Sequence, residues 1–479
     1  MSKPPNIILV VADQHRADFL GCAGHSVVNT PHFDAMAESG VRYRNCLSSS
    51  PLCMPYRCSL QTGMYSFQHG EEDNGGHLNF DRLEGAPLAE RFVEDGYQTA
   101  YFGKCHWNRS GYGGKGEYVD PTRRMGWQHW EGWNNGHFSY DMPAYDDRGG
   151  QIHPWKGRYE PEIMTERVMR YISEERDPNK PFLVQVNWHP PHNATVKKEV
   201  EKAPDVFTTA RELDKRLGLG LPEEAFSSYW WFCQSFPLWL LFPVVPNRFL
   251  EQYEPERFVP PANLNQRYTS AYGWFLKEYA AMIGSLDEQM GRLRSFLNDS
   301  GLSGDTVVIY TSDHGDYLGT NGEGTPFRGK GGPAPESARV PLLIEGPGVA
   351  PNAVVDDRPC NTMDLYATLL DIGGISSEVR LRGSSLLSGN SRMHCLGAVN
   401  RVRSVFDGEL IYSIAPSDCV EERWEIESLQ SADLSIGKRR NLDFDWTNSR
   451  HNQLHDSLMA LLREEGEFPE MNVSFQLDS

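Results

Sequence analysis

Residues 51 to 63 read Pro-Leu-Cys-Met-Pro-Tyr-Arg-Cys-Ser-Leu-Gln-Thr-Gly, placing Cys53, Pro55 and Arg57 at alternate positions ahead of Thr62-Gly63. Pro55 suits a first helical turn and Gly63 a C-cap, so Cys53 is expected at a helix N-terminus, where backbone N–H groups favour an anion such as sulfate or phosphate. A bare cysteine is a modest nucleophile, and a buried one is an ordinary core residue. The segment therefore carries chemistry only if a metal, cations and an acid gather around it. Candidates stand at the ends of four apolar runs: Asp13-Gln14, Lys104 with His106, His189 with His192, and Asp313-His314. Asp13, Gln14, Asp313 and His314 offer hard oxygen ligands and one imidazole, a set that suits Ca²⁺, Mg²⁺ or Mn²⁺ better than structural zinc.

The elements that must deliver these groups can be read from hydrophobic pattern. Residues 6 to 12, Asn-Ile-Ile-Leu-Val-Val-Ala, have the continuous apolar texture of a strand buried on both faces, and runs at 97–102, 182–188 and 306–310 share it. A further short strand is expected at 340–344. Helices are expected from Thr30-Pro31 to Gly40, over 87–95, over 162–175 and over 268–298, the last carrying apolar residues at helical spacing. Strands alternating with helices predict an α/β fold, a large mainly parallel sheet flanked by helices. Ligands bind outside the carboxyl ends of parallel strands, so the four polar strand ends can converge. Residues 111 to 158, rich in Gly, Trp, Tyr and Asp without a sustained period, read as a long irregular insertion that shapes a pocket. After Gly374 the texture changes, which places a domain boundary there: 1–375 as the catalytic unit and 376–479 as a smaller α+β domain ending in a helix through Leu454, Leu458, Leu461 and Leu462.

The chain has 479 residues with 46 Lys plus Arg against 65 Asp plus Glu, a formal charge of −19. That balance repels nucleic acid and anionic membranes, so any anion site must be locally basic. Nine cysteines without regular close spacing exclude both a disulfide scaffold and a zinc ribbon and point to a reducing compartment. The N-terminus lacks the apolar region and cleavage site of a signal peptide, so a cytoplasmic location is expected. The stretch 229–245 is interrupted by Pro237, Pro243 and polar residues; it is expected to be a lid, core segment or subunit contact rather than a membrane span.

Asn6 to Asp13, Cys53 to Gly63, Gly103-Lys104-x-His106, Pro191-His192, Asp287 to Arg292, Thr311 to Gly315, Gly329-Lys330-Gly331 and Glu336 to Pro341 together resemble the blocks of the sulfatase family, in sulfatase order. The resemblance runs from residue 6 to about 350 and is weak beyond. It implies an alkaline-phosphatase-like fold and a sulfuric ester hydrolase. It also implies that a maturation enzyme oxidises Cys53 to formylglycine, whose hydrate offers one hydroxyl to attack the ester and one to expel the product. Arg57 would steady that hydrate. Asp13, Gln14, Asp313, His314 and the modified position 53 would hold the metal, usually Ca²⁺. Lys104 and Lys330 would clamp sulfate oxygens, His192 would protonate the leaving alcohol, and His106 would take the proton from the second hydroxyl. Charge arithmetic agrees: a sulfate monoester whose transition state gathers charge on the bridging oxygen suits two lysines, an arginine and a divalent ion.

Gln14 stands where many members carry a second aspartate, and His314 where some carry asparagine. Both variants fit choline sulfatases, phosphonate hydrolases and several carbohydrate sulfatases. Asn108 replaces a usual glycine and is expected to reach the substrate; His189 is an extra histidine expected to be structural. Trp107 and Trp188, with Trp127, Trp130 and Trp133, are expected to offer stacking faces to a pyranose. The sequence thus predicts hydrolysis of a sulfated carbohydrate or small molecule, with a phosphonate monoester or phosphodiester hydrolase as the alternative. Homo-oligomerisation is compatible with either, and a non-catalytic binding protein is disfavoured because every matched catalytic position is filled.

Overall fold

The structure is a computed structural model. It describes residues 4–107, 117–142, 145–146, 150, 157–194, 196–203, 205–320, 322, 324–355, 358–388, 393–416, 424–431 and 447–466. Its strands are β1 (Asn6–Asp13), β2 (Val41–Tyr43), β3 (Cys46–Leu47), β4 (Gln98–Lys104), β5 (His129–Trp133), β6 (Phe182–Pro191), β7 (Thr306–Ser312), β8 (Leu342–Glu345), β9 (Ala353–Val355), β10 (Cys360–Asn361), β11 (Cys395–Val399), β12 (Val402–Phe406), β13 (Leu410–Pro416) and β14 (Trp424–Ser431).

Eight of them form one sheet in the order β5-β4-β6-β1-β7-β8-β2-β9. Pairing is parallel from β5 through β7, β8 runs antiparallel to both β7 and β2, and β9 pairs parallel to β2. The central strand β1 shows why its sequence is apolar throughout. Ile7, Leu9 and Val11 enter one core with Leu88, Phe92, Leu365 and Leu369. Ile8, Val10 and Ala12 enter the other with Phe33, Ile163, Leu286 and Met290. Helices Cys53–Thr62, Leu88–Glu94 and Thr362–Gly373 therefore cover one face, and Pro31–Ser39, Glu160–Arg170 and Tyr272–Asp299 the other. β11 to β14 form a separate antiparallel sheet against which the Ser449–Glu464 helix packs through Leu454, Leu458 and Leu462.

The mainly parallel α/β architecture and the small second sheet agree with expectation. Two local expectations need correction. The stretch 111–158 is not wholly irregular: β5 lies inside it as an edge strand, held by parallel pairing to β4 from Ala100↔His129 to Lys104↔Trp133. The helix expected over 162–175 spans Glu160–Arg170, and Tyr171–Glu175 continues as a wider π-helical turn. In the apolar stretch 229–245, Phe232, Cys233, Leu238, Val244 and Val245 are buried in a third core with the long helix. Among the described residues no helix is long and apolar enough to cross a membrane.

Candidate active site

The site forms where the carboxyl ends of β1, β4, β6 and β7 face the N-terminus of the Cys53–Thr62 helix. Every residue of that helix is buried, Gly63 closes it in the left-handed conformation at φ 66°, and Cys53 is its first residue. The Met54 N–H donates to Asn74 Oδ1 at 3.0 Å, so one orphan donor of the first turn is capped, and Pro55 has none to cap. Two side-chain carriers at strand ends, Gln14 (φ 73°) and His106 (φ 54°), adopt left-handed backbone conformations. For non-glycine residues that costs roughly 1–3 kcal/mol each, a cost that the surrounding structure must hold in place.

Asp13, Cys53, Asp313 and His314 place one ligand atom each within 4.8 Å of one another, all buried. Cys53 Sγ lies 3.3 Å from His314 Nε2 and 3.1 Å from Lys330 Nζ. Lys330 Nζ also donates to Gln14 Oε1 at 3.1 Å, and Gln14 Nε2 donates to Asp316 Oδ2 at 2.6 Å, which fixes the amide. Lys104 Nζ donates to Asp13 Oδ2 at 2.7 Å. Arg57 Nη2 reaches Asp13 Oδ2 at 3.2 Å and Asp313 Oδ2 at 2.9 Å, while its Nη1 donates to the Lys104 carbonyl and to Asn187 Oδ1. Behind it a chain of amides runs from Asn187 through Gln185 and Gln61 to the Trp127 indole. His314 Nδ1 donates to the Gly315 carbonyl at 2.9 Å, leaving Nε2 for the site. His192 Nδ1 donates to the Asn193 carbonyl at 2.8 Å, and its backbone N–H reaches the Asp13 carbonyl at 3.0 Å.

The electrostatics follow from burial and five converging charges. Burial and Asp13 oppose ionisation of Cys53, but Lys104, Lys330 and His314 outweigh them and hold the thiol well below its usual range. Burial would also raise Asp13, yet Lys104, His192 and Lys330 bring it far below the carboxylate range. Asp313 goes the other way, raised by burial and by Asp13 despite His314 and Arg57. Burial pushes His106 down to about 4, and burial with Lys330 depresses His192. Two buried carboxylates thus face each other across the cluster. A divalent ion with oxygen preference fits that donor set, two carboxylates and an imidazole.

All the charged and imidazole residues expected here, with Cys53 and Gln14, lie in or beside this cluster. Asn108 falls outside the described residues. Trp107 and Trp188 do not face a pocket: they are 0% and 1% exposed. Trp107 packs on Tyr101 and Trp130 and donates its indole N–H to the Arg123 carbonyl, and Trp188 packs in the core beside Tyr310. A ring enclosed by core neighbours has no face left for a sugar, and the same holds for Trp130 and Trp133 at 0%. His189 is buried, and among the described residues neither ring nitrogen has a hydrogen-bond partner of normal geometry. Three residues of the site were not anticipated: Asn74, Asp316 and His137, the last stacked on His192 with centroids 3.5 Å apart. Asp316 had a signal in its position two residues after His314, and His137 in the Asn134-Asn135-Gly136 turn that ends β5.

The family model described as Sulfatase matches residues 5–375. The chain belongs to the sulfatase family. Its relatives include the ulvan-active sulfatase of Formosa agariphila, 30% identical over 383 residues, covering 80% of this chain and 64% of the relative. The chain thus spans less than two thirds of that sulfatase's length. The N-acetylglucosamine-6-O-sulfatase of Bacteroides thetaiotaomicron is 26% identical over 427 residues, covering 80% of this chain and 70% of the relative. A solved structure bound to its substrate D-glucosamine-2-N,6-O-disulfate superposes with a TM-score of 0.72 at 21% identity, covering 98% of this chain and 99% of that one. The chain therefore shares the fold of that structure across both its sheets.

Proposed function

We propose that this sulfatase releases inorganic sulfate from sulfate monoesters of carbohydrates, with Cys53 oxidised to formylglycine by a separate maturation enzyme. The observation that carries the reading is the setting of Cys53: a helix N-terminus, Lys330 Nζ at 3.1 Å, His314 at 3.3 Å, and Lys104 and Arg57 joined through Asp13. That setting gathers cations around one buried point in a chain of net charge −19. The carbohydrate assignment draws on the ulvan-active and N-acetylglucosamine-6-O-sulfatase relatives.

Asp13, Gln14, Asp313, His314 and position 53 would hold a divalent cation, most simply Ca²⁺, which supplies Lewis-acid charge for a sulfate oxygen. The formylglycine hydrate supplies a hydroxyl nucleophile where the thiol now stands. Lys104 and Lys330 bind the sulfate oxygens as point charges. Arg57 spans both carboxylates and keeps position 53 facing the anion. His192, its Nδ1–H engaged by the Asn193 carbonyl, turns Nε2 toward the bridging oxygen and acts as the acid in its doubly protonated form, which the bound sulfate anion favours against the depression by burial and Lys330. As the S–O bond breaks its electron pair passes to that oxygen and the Nε2 proton follows, so the alcohol leaves neutral. His106, held neutral by burial, accepts a proton at position 53.

The test pairs intact-mass measurement with a sulfate-release screen after co-expression with a maturation enzyme. Conversion at Cys53 lowers the mass by about 18 Da, from the composition of thiol and aldehyde. Sulfated mono- and oligosaccharides, an aryl sulfate and phosphate diesters are assayed together. Dominant release of sulfate that disappears in Cys53→Ala supports the reading. A faster rate on phosphate diesters, or undiminished activity of Cys53→Ala, removes it.

A further inference from the structure

His137, His189 and His192 bring ring nitrogens within 4.8 Å of one another. Three imidazoles are a common ligand set for borderline transition metals, but two features oppose a cation there. The Lys104 ammonium stands 3.4 Å from His137 Nε2. His137 and His192 lie face to face, centroids 3.5 Å apart and planes within 5°. Lone pairs of parallel stacked rings lie in parallel planes and do not converge on one ion.

We propose that His137 is a positioning residue that sets the plane of the His192 ring for proton delivery to the leaving oxygen, a role that rests on the sulfate-ester reading above. The last torsion of a histidine is broad rather than sharply staggered, so a neighbour must define the ring plane. The hydrogen bond from His192 Nδ1 to the Asn193 carbonyl holds one atom of the ring. The His137 face covers the whole of one side, and His189 adds a tilted contact at 5.8 Å. An acid works only when its proton lies within hydrogen-bond reach of, and in line with, its acceptor, so a few degrees of ring swing matter at Nε2.

His137 is itself delivered by rigid parts. Trp133, the last residue of β5, is fully buried and paired in register with Lys104. Its indole N–H donates to the Gly136 carbonyl at 3.4 Å, and Gly136, at φ 111°, turns the chain back toward the site. The turn therefore leaves the sheet beside Lys104 and lays His137 between that ammonium and His192.

The test compares matured wild type and His137→Ala on 4-nitrophenyl sulfate, whose phenolate leaves with little help, and on phenyl sulfate, whose more basic phenolate needs the proton. His137→Ala is expected to lose about 100-fold in kcat on phenyl sulfate and less than about tenfold on 4-nitrophenyl sulfate, with KM little changed. His137→Phe, which keeps a flat ring over His192, should recover most of the difference. Should the alanine variant not fold, His137→Phe against His137→Gln carries the same comparison of a ring with a non-ring side chain. Equal losses on both esters, a change in KM alone, or no recovery by the ring overturns the positioning role while leaving the sulfatase reading intact. A matured wild type inert toward both esters overturns that reading, and the positioning role with it.

Discussion

Arg57 is the residue on which the charge balance of the site turns. It is 1% exposed and bridges Asp13 and Asp313 from one nitrogen while the other is tied to Asn187 and the Lys104 carbonyl. Removing one partner of a buried ion group leaves the rest uncompensated, at about 3–5 kcal/mol. Arg57→Met is therefore expected to lower unfolding free energy by that amount in a denaturant titration and to abolish turnover; a stability within about 1 kcal/mol of wild type would show the carboxylates balanced without it. Arg57→Lys should restore little, since an ammonium cannot serve both edges of a planar fork. Arg57, Asp13, Lys104 and Asp313 were legible because each is a polar group at the end of an apolar strand or at a helix start, whereas Lys330, in the Gly329-Lys330-Gly331 loop, was legible only through the family resemblance. Asn74 and His137 sit in Gly- and Asn-rich connections with no period to locate them. Trp107 and Trp188 misled for a different reason: a sequence shows how many aromatic rings a segment has, not which of them the core consumes.

At the scale of elements, close approach of β4 and β6 is what places Lys104. Gly103 has φ 95°, and a Cβ there would sit 2.3 Å from the Asn187 carbonyl oxygen. Gly103→Ala is expected to destabilise by roughly 1–3 kcal/mol and to cut kcat more than tenfold by moving Lys104, read from unfolding and sulfate release together. The long helix supplies a pH signature. Glu278 on Tyr272–Asp299 accepts the Trp239 N–H at 3.0 Å, and burial raises its carboxyl from 4.5 to about 7. Between those values the folded chain holds a proton that the unfolded chain releases, so this group's contribution to stability falls as pH rises from 4.5 through 7. Glu278→Gln keeps an acceptor without the charge: it should match wild type at pH 4 and exceed it at pH 8 by up to about 3 kcal/mol. An equal difference at both pH values would assign the effect to packing. The alternation of strand and helix was readable because β1 and β7 are apolar on both faces and β6 carries Phe182, Val184, Val186 and Trp188 on one. β5 was not, since a short edge strand is held by pairing with β4 rather than by any pattern of its own.

At the scale of the molecule, the second sheet is tied to the site. Asn400 donates to the Gly331 carbonyl beside Lys330, Ser66 and Asn361 donate to β11 carbonyls, and Arg403 pairs with Glu72. Tyr65 and Met363 share the small core of β11 to β13 and the last helix. Deleting 376–479 is expected to expose that core and yield aggregated, inactive protein; a soluble truncation with wild-type turnover would show the ties dispensable. The complete enclosure of the Cys53–Thr62 helix has a consequence in time. With Cys53 at 0% exposure, no protein catalyst can grip its flanking backbone once the sheet has closed. Under the maturation proposed above, oxidation of that thiol and burial of its helix would be competing rates on a newly made chain. On that proposal a chain that folds first would keep its sulfur, so conditions or substitutions that hasten folding would leave a larger fraction of folded, unconverted molecules.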